Sequence, residues 1–139
     1  MIYVLDTNVI IRYLSKDEHV KKHFRQAAFG GWRLLIPRAV DYEILRGLAL
    51  SKATRKSLVY ADITSHLPMG QCEVVDMGEE VWKYAKRIYV ELYQKGFTVG
   101  EIDILIGAYC LQHNYTLVTN NTKDFENING LIIVDWTQL

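Results

Sequence analysis

Short apolar runs, rich in β-branched and aromatic residues, recur along the chain and are held apart by stretches with helical periodicity. The runs are Ile2–Leu5, Arg33–Ile36, Cys72–Val75, Thr116–Thr119 and Leu131–Val134. Runs this short read as strands, and Ile2–Leu5 is apolar throughout, as a strand buried on both faces must be. Strands that alternate with helices imply an α/β domain of three layers, with a mostly parallel sheet of four or five strands flanked by helices. In such sheets a ligand site lies beyond the carboxyl ends of the strands.

The intervening segments carry start and stop signals. Asp6-Thr7-Asn8 breaks the first run and precedes a short helix through Leu14. Ser15 and Glu18 have capping-box spacing, which predicts a helix to about Ala28 that Gly30-Gly31 ends. Pro37 precedes a helix to about Leu50 in which Val40, Ile44, Leu45 and Leu48 follow the 3.6-residue period. A further helix is predicted from about Thr54 to His66, closed by Pro68 and Gly70. Asp76 is placed to cap a long amphipathic helix to Lys95, with Val81, Tyr84, Ala85, Ile88 and Leu92 on one face and Gly96 as its stop. Thr98 and Glu101 repeat the capping-box spacing. The helix from Ile102 to about His113 is apolar nearly all round and should be deeply packed.

With 139 residues, half of them hydrophobic, the chain makes one domain over 1–139 with a core of its own. Cys72 and Cys110 form no C-x-x-C pair and read as buried, reduced thiols of an intracellular protein. No basic-then-apolar leader opens the chain. The longest charge-free apolar stretch, Ile104–Leu111, is far short of the roughly 20 residues that cross a bilayer. A cytoplasmic protein with no membrane partner is expected. Sixteen basic residues balance sixteen acids, which argues against a strongly basic nucleic-acid binder. If four acids turn toward one metal, the rest of the surface becomes mildly cationic.

Four acids attract attention. Asp6 directly follows the first strand, although Asp-Thr-Asn is also good cap material. Asp103 is the only charge between Ile102 and Leu111, and an isolated carboxylate in an apolar setting is costly unless compensated. Glu43 lies between Tyr42 and two aliphatics on its helix, with an ion pair to Arg46 or Arg38 as the plain alternative. Asp124 sits in the polar segment after the fourth strand, where it equally suits a cap for a turn around Phe125. Two carboxylates about 4 Å apart repel by roughly 4 kcal/mol at an effective dielectric near 20. A divalent cation reverses that sign, and oxygen ligands select Mg²⁺ or Mn²⁺ over Zn²⁺. Such an ion suits hydrolysis of a phosphodiester by in-line attack of water.

Taken in order, Leu5-Asp6-Thr7-Asn8, Tyr42-Glu43-Ile44-Leu45-Arg46-Gly47, Asp103-Ile104-Leu105-Ile106-Gly107-Ala108 and Leu117-Val118-Thr119-Asn120-Asn121-Thr122-Lys123-Asp124-Phe125 resemble the PIN-domain nucleases over essentially the whole chain. Gly130-Leu131 and Asp135-Trp136 extend the likeness, which is strongest to the VapC-type toxins of bacterial toxin–antitoxin pairs. The resemblance implies a metal-dependent endoribonuclease with a structured RNA substrate, tRNA first among candidates. It also implies a cognate antitoxin that blocks the site and a homodimer. It assigns catalysis to Asp6, Glu43, Asp103 and Asp124, with Mg²⁺ or Mn²⁺ on Asp6 and Asp103. Glu43 would orient or activate water, and Thr7, Asn8, Thr119 and Asn120 would fix the carboxylates. Some relatives carry an acid nearer the fourth strand, where this chain has Asn120 and Asn121, and Glu126 is the substitute for Asp124. Glu101 is assigned to helix capping.

Two other readings compete. Asp6 as a phosphatase nucleophile would want a second acid two residues on, where Asn8 stands. A non-catalytic RNA- or protein-binding module would not require all four acids. His19 and His23 share an i, i+4 spacing but lack the H-E-x-x-H glutamate, and read as an exposed helix face. His66 and His113 stand near helix ends, and Ser57 and Ser65 have no partner pattern for a triad. Lys21, Lys22, Arg25, Lys52, Arg55 and Lys56 read as solvated helix faces. Trp82, Tyr89 and Tyr93 read as core or dimer surface.

Overall fold

The computed structural model describes residues 1–65 and 71–138. The elements run β1 (Ile2–Leu5), α1 (Thr7–Leu14), α2 (Glu18–Gly30), β2 (Arg33–Pro37), α3 (Arg38–Ser51), α4 (Thr54–Ile63), β3 (Cys72–Val75), α5 (Val81–Gln94), α6 (Glu101–His113), β4 (Thr116–Val118), α7 (Thr122–Phe125) and β5 (Ile133–Val134). All strand pairs are parallel, and the sheet order is β3-β2-β1-β4-β5. The chain first steps outward from β1 to β2 and β3, then crosses back over β1 to β4 and β5. Right-handed crossovers therefore put α1–α4 on one face and α5–α7 on the other. The direction reverses between β1 and β4, which makes the crevice at their carboxyl ends the natural ligand position.

The core follows from the strand composition. Val4, Leu5, Leu35, Ile36, Leu117 and Val118 are essentially inaccessible, because helices cover both faces of the central strands. On α6, residues Ile104, Ile106, Gly107, Ala108, Tyr109 and Cys110 are all buried, as a helix apolar all round requires. Gly107 is the point of closest approach, since a Cβ there would meet Ile128 Cδ1 at 2.9 Å. Cys72 and Cys110 are buried and unpaired, and burial pushes both thiols up from their ordinary pKa.

Several helix ends differ from expectation, each for a local reason. Ser15 does not start α2. Asp17 does, accepting from His19 N at 3.0 Å and Val20 N at 3.2 Å, while Ser15 closes α1. Asp76 does not cap α5, which begins five residues later with no side-chain cap. It pairs instead with Arg38 at 3.1 Å. Thr98 does not cap α6 either. Gly100 occupies the cap position and no side chain bonds there. The α4 helix stops at Ile63, and its expected end at His66, with Pro68 and Gly70, falls outside the described residues. Arg55 and Lys56 are not simply solvated: they bond Leu14 O at 3.1 Å and Ser15 Oγ at 3.2 Å, docking α4 against the end of α1. His23, half-buried, stacks on Trp136 at 5.1 Å and so is not a fully exposed face residue, whereas His113 stays exposed with its ring on Tyr115 at 5.1 Å. Among the described residues no helix is long and apolar enough to cross a membrane.

Candidate active site

Asp6 is the deepest acid of the group, 4% exposed at the end of β1. Its backbone N donates to Val118 O at 3.0 Å, which ties the end of β1 to β4 across the switch point. The residue is also the N-cap of α1, with its Oδ1 accepting from Thr7 N at 2.8 Å. The cap reading of Asp6 is thus realised by one carboxylate oxygen, and the other faces the loop after β4. Oδ2 accepts from Thr119 Oγ1 at 2.8 Å and from Asn8 Nδ2 at 3.0 Å. Burial raises the Asp6 pKa, and these three hydrogen bonds pull against it; Glu43 adds a further upward push.

Glu43 comes to the same edge from the second turn of α3. Thr7 Oγ1 donates to its Oε1 at 2.6 Å, while its Oε2 lies 4.0 Å from Arg46 Nη2. Arg38, the other expected partner, bonds Asp41 and Asp76 instead. Thr7 therefore links two acids, holding Asp6 through its backbone and Glu43 through its hydroxyl. Asp41, one turn before Ile44, is the other buried carboxylate of α3, and it accepts from Tyr60 Oη at 2.7 Å, away from the site.

Asp103 sits in the first turn of α6, half-buried, where the helix dipole favours an anion. The surroundings oppose it. Burial comes first, followed by the charges of Asp6, Asp124 and Glu43, and together they push its pKa up to about 7. When protonated, Asp103 donates to Asp124. Asp124 lies in α7, the single turn after β4, and takes a short hydrogen bond from Asn121 Nδ2. Asp6, Glu43 and Asp124, separated by up to 118 positions in sequence, thus all act electrostatically on Asp103. Glu126 and Glu101 are exposed and belong to the surroundings, and Glu101 makes no capping bond. Among the described residues, no three His, Cys, Asp or Glu side chains are grouped tightly enough to enclose an ion by themselves.

Thr119 is fully buried and central: its hydroxyl donates to Asp6 and accepts from Asn121 N at 3.0 Å. Asn8 stands between, with Nδ2 also 3.3 Å from Thr119 Oγ1 and Oδ1 accepting from Asn120 N at 3.3 Å. Sequence reading did not single out Arg12, which reaches the same loop one helical turn after Asn8. The i, i+4 spacing of the pair was the available signal.

The chain was compared with known proteins on this background. The family model for the PIN domain matches residues 3–131. A curated relative named ribonuclease VapC2, from Rickettsia felis, is 30% identical over 98% of each chain. A second, named tRNA(fMet)-specific endonuclease VapC, from Salmonella typhimurium, is 29% identical over 96% of this chain and 97% of its own. Among solved structures, VapBC2 of Rickettsia felis bound to a promoter DNA fragment superposes with a TM-score of 0.83 at 27% identity, covering 98% of this chain and 99% of that one. VapBC of Salmonella typhimurium bound to DNA gives 0.81 at 27% identity, over 98% of each. The order of strands, the acidic edge at the switch point and the family match over nearly the whole length agree, and the chain belongs to the PIN domain family.

Proposed function

We propose that this protein is an endoribonuclease of the VapC type, the toxin of a toxin–antitoxin pair, and that it hydrolyses RNA phosphodiester bonds with a divalent cation held by Asp6 and Asp103. One observation carries the reading. Carboxylates from the end of β1, α3 and α7 converge on Asp103 of α6, and their charges add to its burial in holding it at about 7. A structural role gives no reason to bring like charges together at such cost. The donor set fits the cation: every donor is a carboxylate oxygen, which suits Mg²⁺ or Mn²⁺. Mg²⁺ keeps several waters and binds through one or two carboxylates plus substrate phosphate, so two protein carboxylates would be enough to hold it.

A bound divalent cation would neutralise the carboxylates, acidify a water and stabilise charge on the phosphate. The chain's own groups do the rest. Thr7, Asn8 and Thr119 fix both oxygens of Asp6, so no reorganisation is needed when charge shifts nearby. Thr7 anchors one oxygen of Glu43, and the other, which only the distant Arg46 approaches, is free to accept a hydrogen bond from the attacking water. Hydrolysis forms one P–O bond from that water and breaks one to a ribose oxygen. The water's proton passes toward Glu43, and the departing oxygen takes one from solvent. Asp124 takes the Asp103 proton's hydrogen bond when the site is protonated, and repels it otherwise.

Names of relatives support the finer statements. A tRNA is the favoured substrate, because the Salmonella relative is named for one. A cognate antitoxin is the expected partner, because the solved neighbours at 27% identity are VapBC assemblies. An apolar groove lined by Ile11, Leu14, Ile44 and Leu48 runs up to Glu43 and suits a segment that blocks the site. The test is incubation of the protein with tRNA in Mn²⁺, with and without EDTA. Cleavage that EDTA abolishes, and that Asp103→Asn lowers by about a hundredfold or more, is expected. Equal cleavage with and without chelator removes the metal mechanism.

A further inference from the structure

We propose that Arg12 is a positioning residue of this site, acting on Asp6 through Asn120 and Asn8. The proposal rests on the nuclease reading for its catalytic consequence, but its structural content stands apart from it.

Arg12 follows Asn8 by four residues on α1, so both side chains face the loop after β4. The Asn120 amide lies between them. A guanidinium donates and never accepts, so only the amide oxygen of Asn120 can face it. In that orientation Asn120 Oδ1 accepts from Arg12 Nε at 3.0 Å and Nη2 at 3.1 Å, and its NH₂ donates to Asn8 Oδ1. The backbone N of Asn120 also donates to Asn8 Oδ1, at 3.3 Å. With its oxygen engaged twice, Asn8 can turn only its NH₂ toward the acid, and Nδ2 meets Asp6 Oδ2 at 3.0 Å.

Every link in this series has one permitted donor sense, and Arg12 sets it at the Asn120 amide, whose NH₂ then reinforces the backbone N–H on Asn8 Oδ1. Without the guanidinium, Asn120 is free to turn over. Its oxygen would then face Asn8 Oδ1, acceptor against acceptor, loosening the Asn8 side chain that bonds Asp6. The outer end is held too: Arg12 Nη1 pairs with Asp17 Oδ2 at 3.2 Å. All three guanidinium nitrogens are therefore engaged within the protein, which fixes the plane of the Arg12 head group.

The test uses the full chain with Arg12→Gln, Arg12→Lys, Asn120→Ala and the Arg12→Gln/Asn120→Ala double variant. Two readouts are taken: the side-chain amide signals of Asn8 by NMR, and kcat and KM for RNA cleavage. In Arg12→Gln the Asn8 amide protons should shift and exchange faster. Its kcat should fall about tenfold with KM nearly unchanged, as for loss of a group that orients a ligand side chain. Arg12→Lys keeps the charge without the planar fork and should behave like Arg12→Gln. The double variant should be no worse than Asn120→Ala alone, because both act along one path.

An unmoved Asn8 signal, additive effects, or a raised KM that salt removes would overturn the proposal, the last by showing that Arg12 holds RNA. Should Arg12→Gln fail to fold, Asn120→Ala carries the same expectation for Asn8. If the wild-type protein cuts no RNA, the nuclease reading fails, and the Asn8 signal still decides the positioning claim.

Discussion

Asp103 and Thr119 show how the site trades local stability for chemistry. The Asp103 carboxyl, ordinarily near 3.8, is held at about 7 by burial and by Asp6, Asp124 and Glu43. The folded protein therefore binds this proton more tightly than the unfolded chain does. Its stabilising effect is full below about pH 4 and is lost as pH rises through 7. In metal-free protein, Asp103→Asn should leave stability unchanged near pH 4 and raise it at pH 8, by about 1 kcal/mol once solvent screening of a half-buried group is allowed for. Thermal melting at both pH values checks this, and a variant that melts lower at pH 8 would mean the carboxylate is compensated within the protein. Thr119→Val tests the opposite case. It keeps the shape but removes the donor to Asp6 Oδ2, so the acid loses one of the bonds that offset its burial. The expected cost is about 1–3 kcal/mol in chemical denaturation, with Asp6 becoming easier to protonate. Asp6, Asp103, Asp124 and the threonine and asparagine partners were legible in the sequence because each follows a strand or opens a helix, where side chains reach the sheet edge; Glu43, in the second turn of α3, stood out through the family resemblance. The order of the hydrogen bonds was not. That Thr7 serves Asp6 with its amide and Glu43 with its hydroxyl depends on α1 and α3 lying side by side, and no spacing encodes that.

At the scale of elements, the strands and the long helices matched their periodicity, whereas the helix ends did not. A helix cap is a local pattern, and Ser15, Asp76 and Thr98 each offered one that the fold declined. Asp17 caps α2 two residues later, where the chain leaves α1 in the correct direction. Asp76 pairs with Arg38 of a neighbouring helix, a contact between residues 38 apart. The Glu-bearing helix α3 ends on an unfavourable residue: Lys52 takes the left-handed conformation with φ 53° and donates its N–H to Leu48 O. Side chains rarely adopt that region and glycine does so freely. Lys52→Gly should therefore stabilise the protein by roughly 0.5–1 kcal/mol and leave RNA cleavage unaltered, since Lys52 lies more than two turns beyond Glu43. A lower melting temperature would show that the Lys52 side chain contributes more than its backbone costs.

For the molecule as a whole, the sheet order β3-β2-β1-β4-β5 was out of reach of local patterns, because it is fixed by which helices pack together. The alternation of strands and helices implied only that the sheet is parallel and that its acids share an edge. The same distinction governs the α5–α6 face. Trp82, Tyr89 and Tyr93 were ambiguous in sequence between core and interface, and they are 64%, 49% and 73% exposed. Val90 is exposed beside Trp82 and Tyr89, and Tyr93 stacks on Tyr89, an apolar surface of the kind that marks a protein contact. It flanks an open groove of about 590 Å³ that ends at Glu101, two residues before Asp103. A second copy of the chain is the partner proposed for it, which would put the interface beside the acidic edge rather than behind the sheet. The protein should then sediment as a dimer at micromolar concentration. Tyr89→Glu with Tyr93→Glu should convert it to a monomer without lowering its folding stability, because neither ring is buried in the single chain and only the paired state loses apolar contact. Sedimentation of the wild-type protein as a monomer at tens of micromolar, or a double variant that still dimerises, would assign this face to another partner and leave the acidic site to work in a single chain.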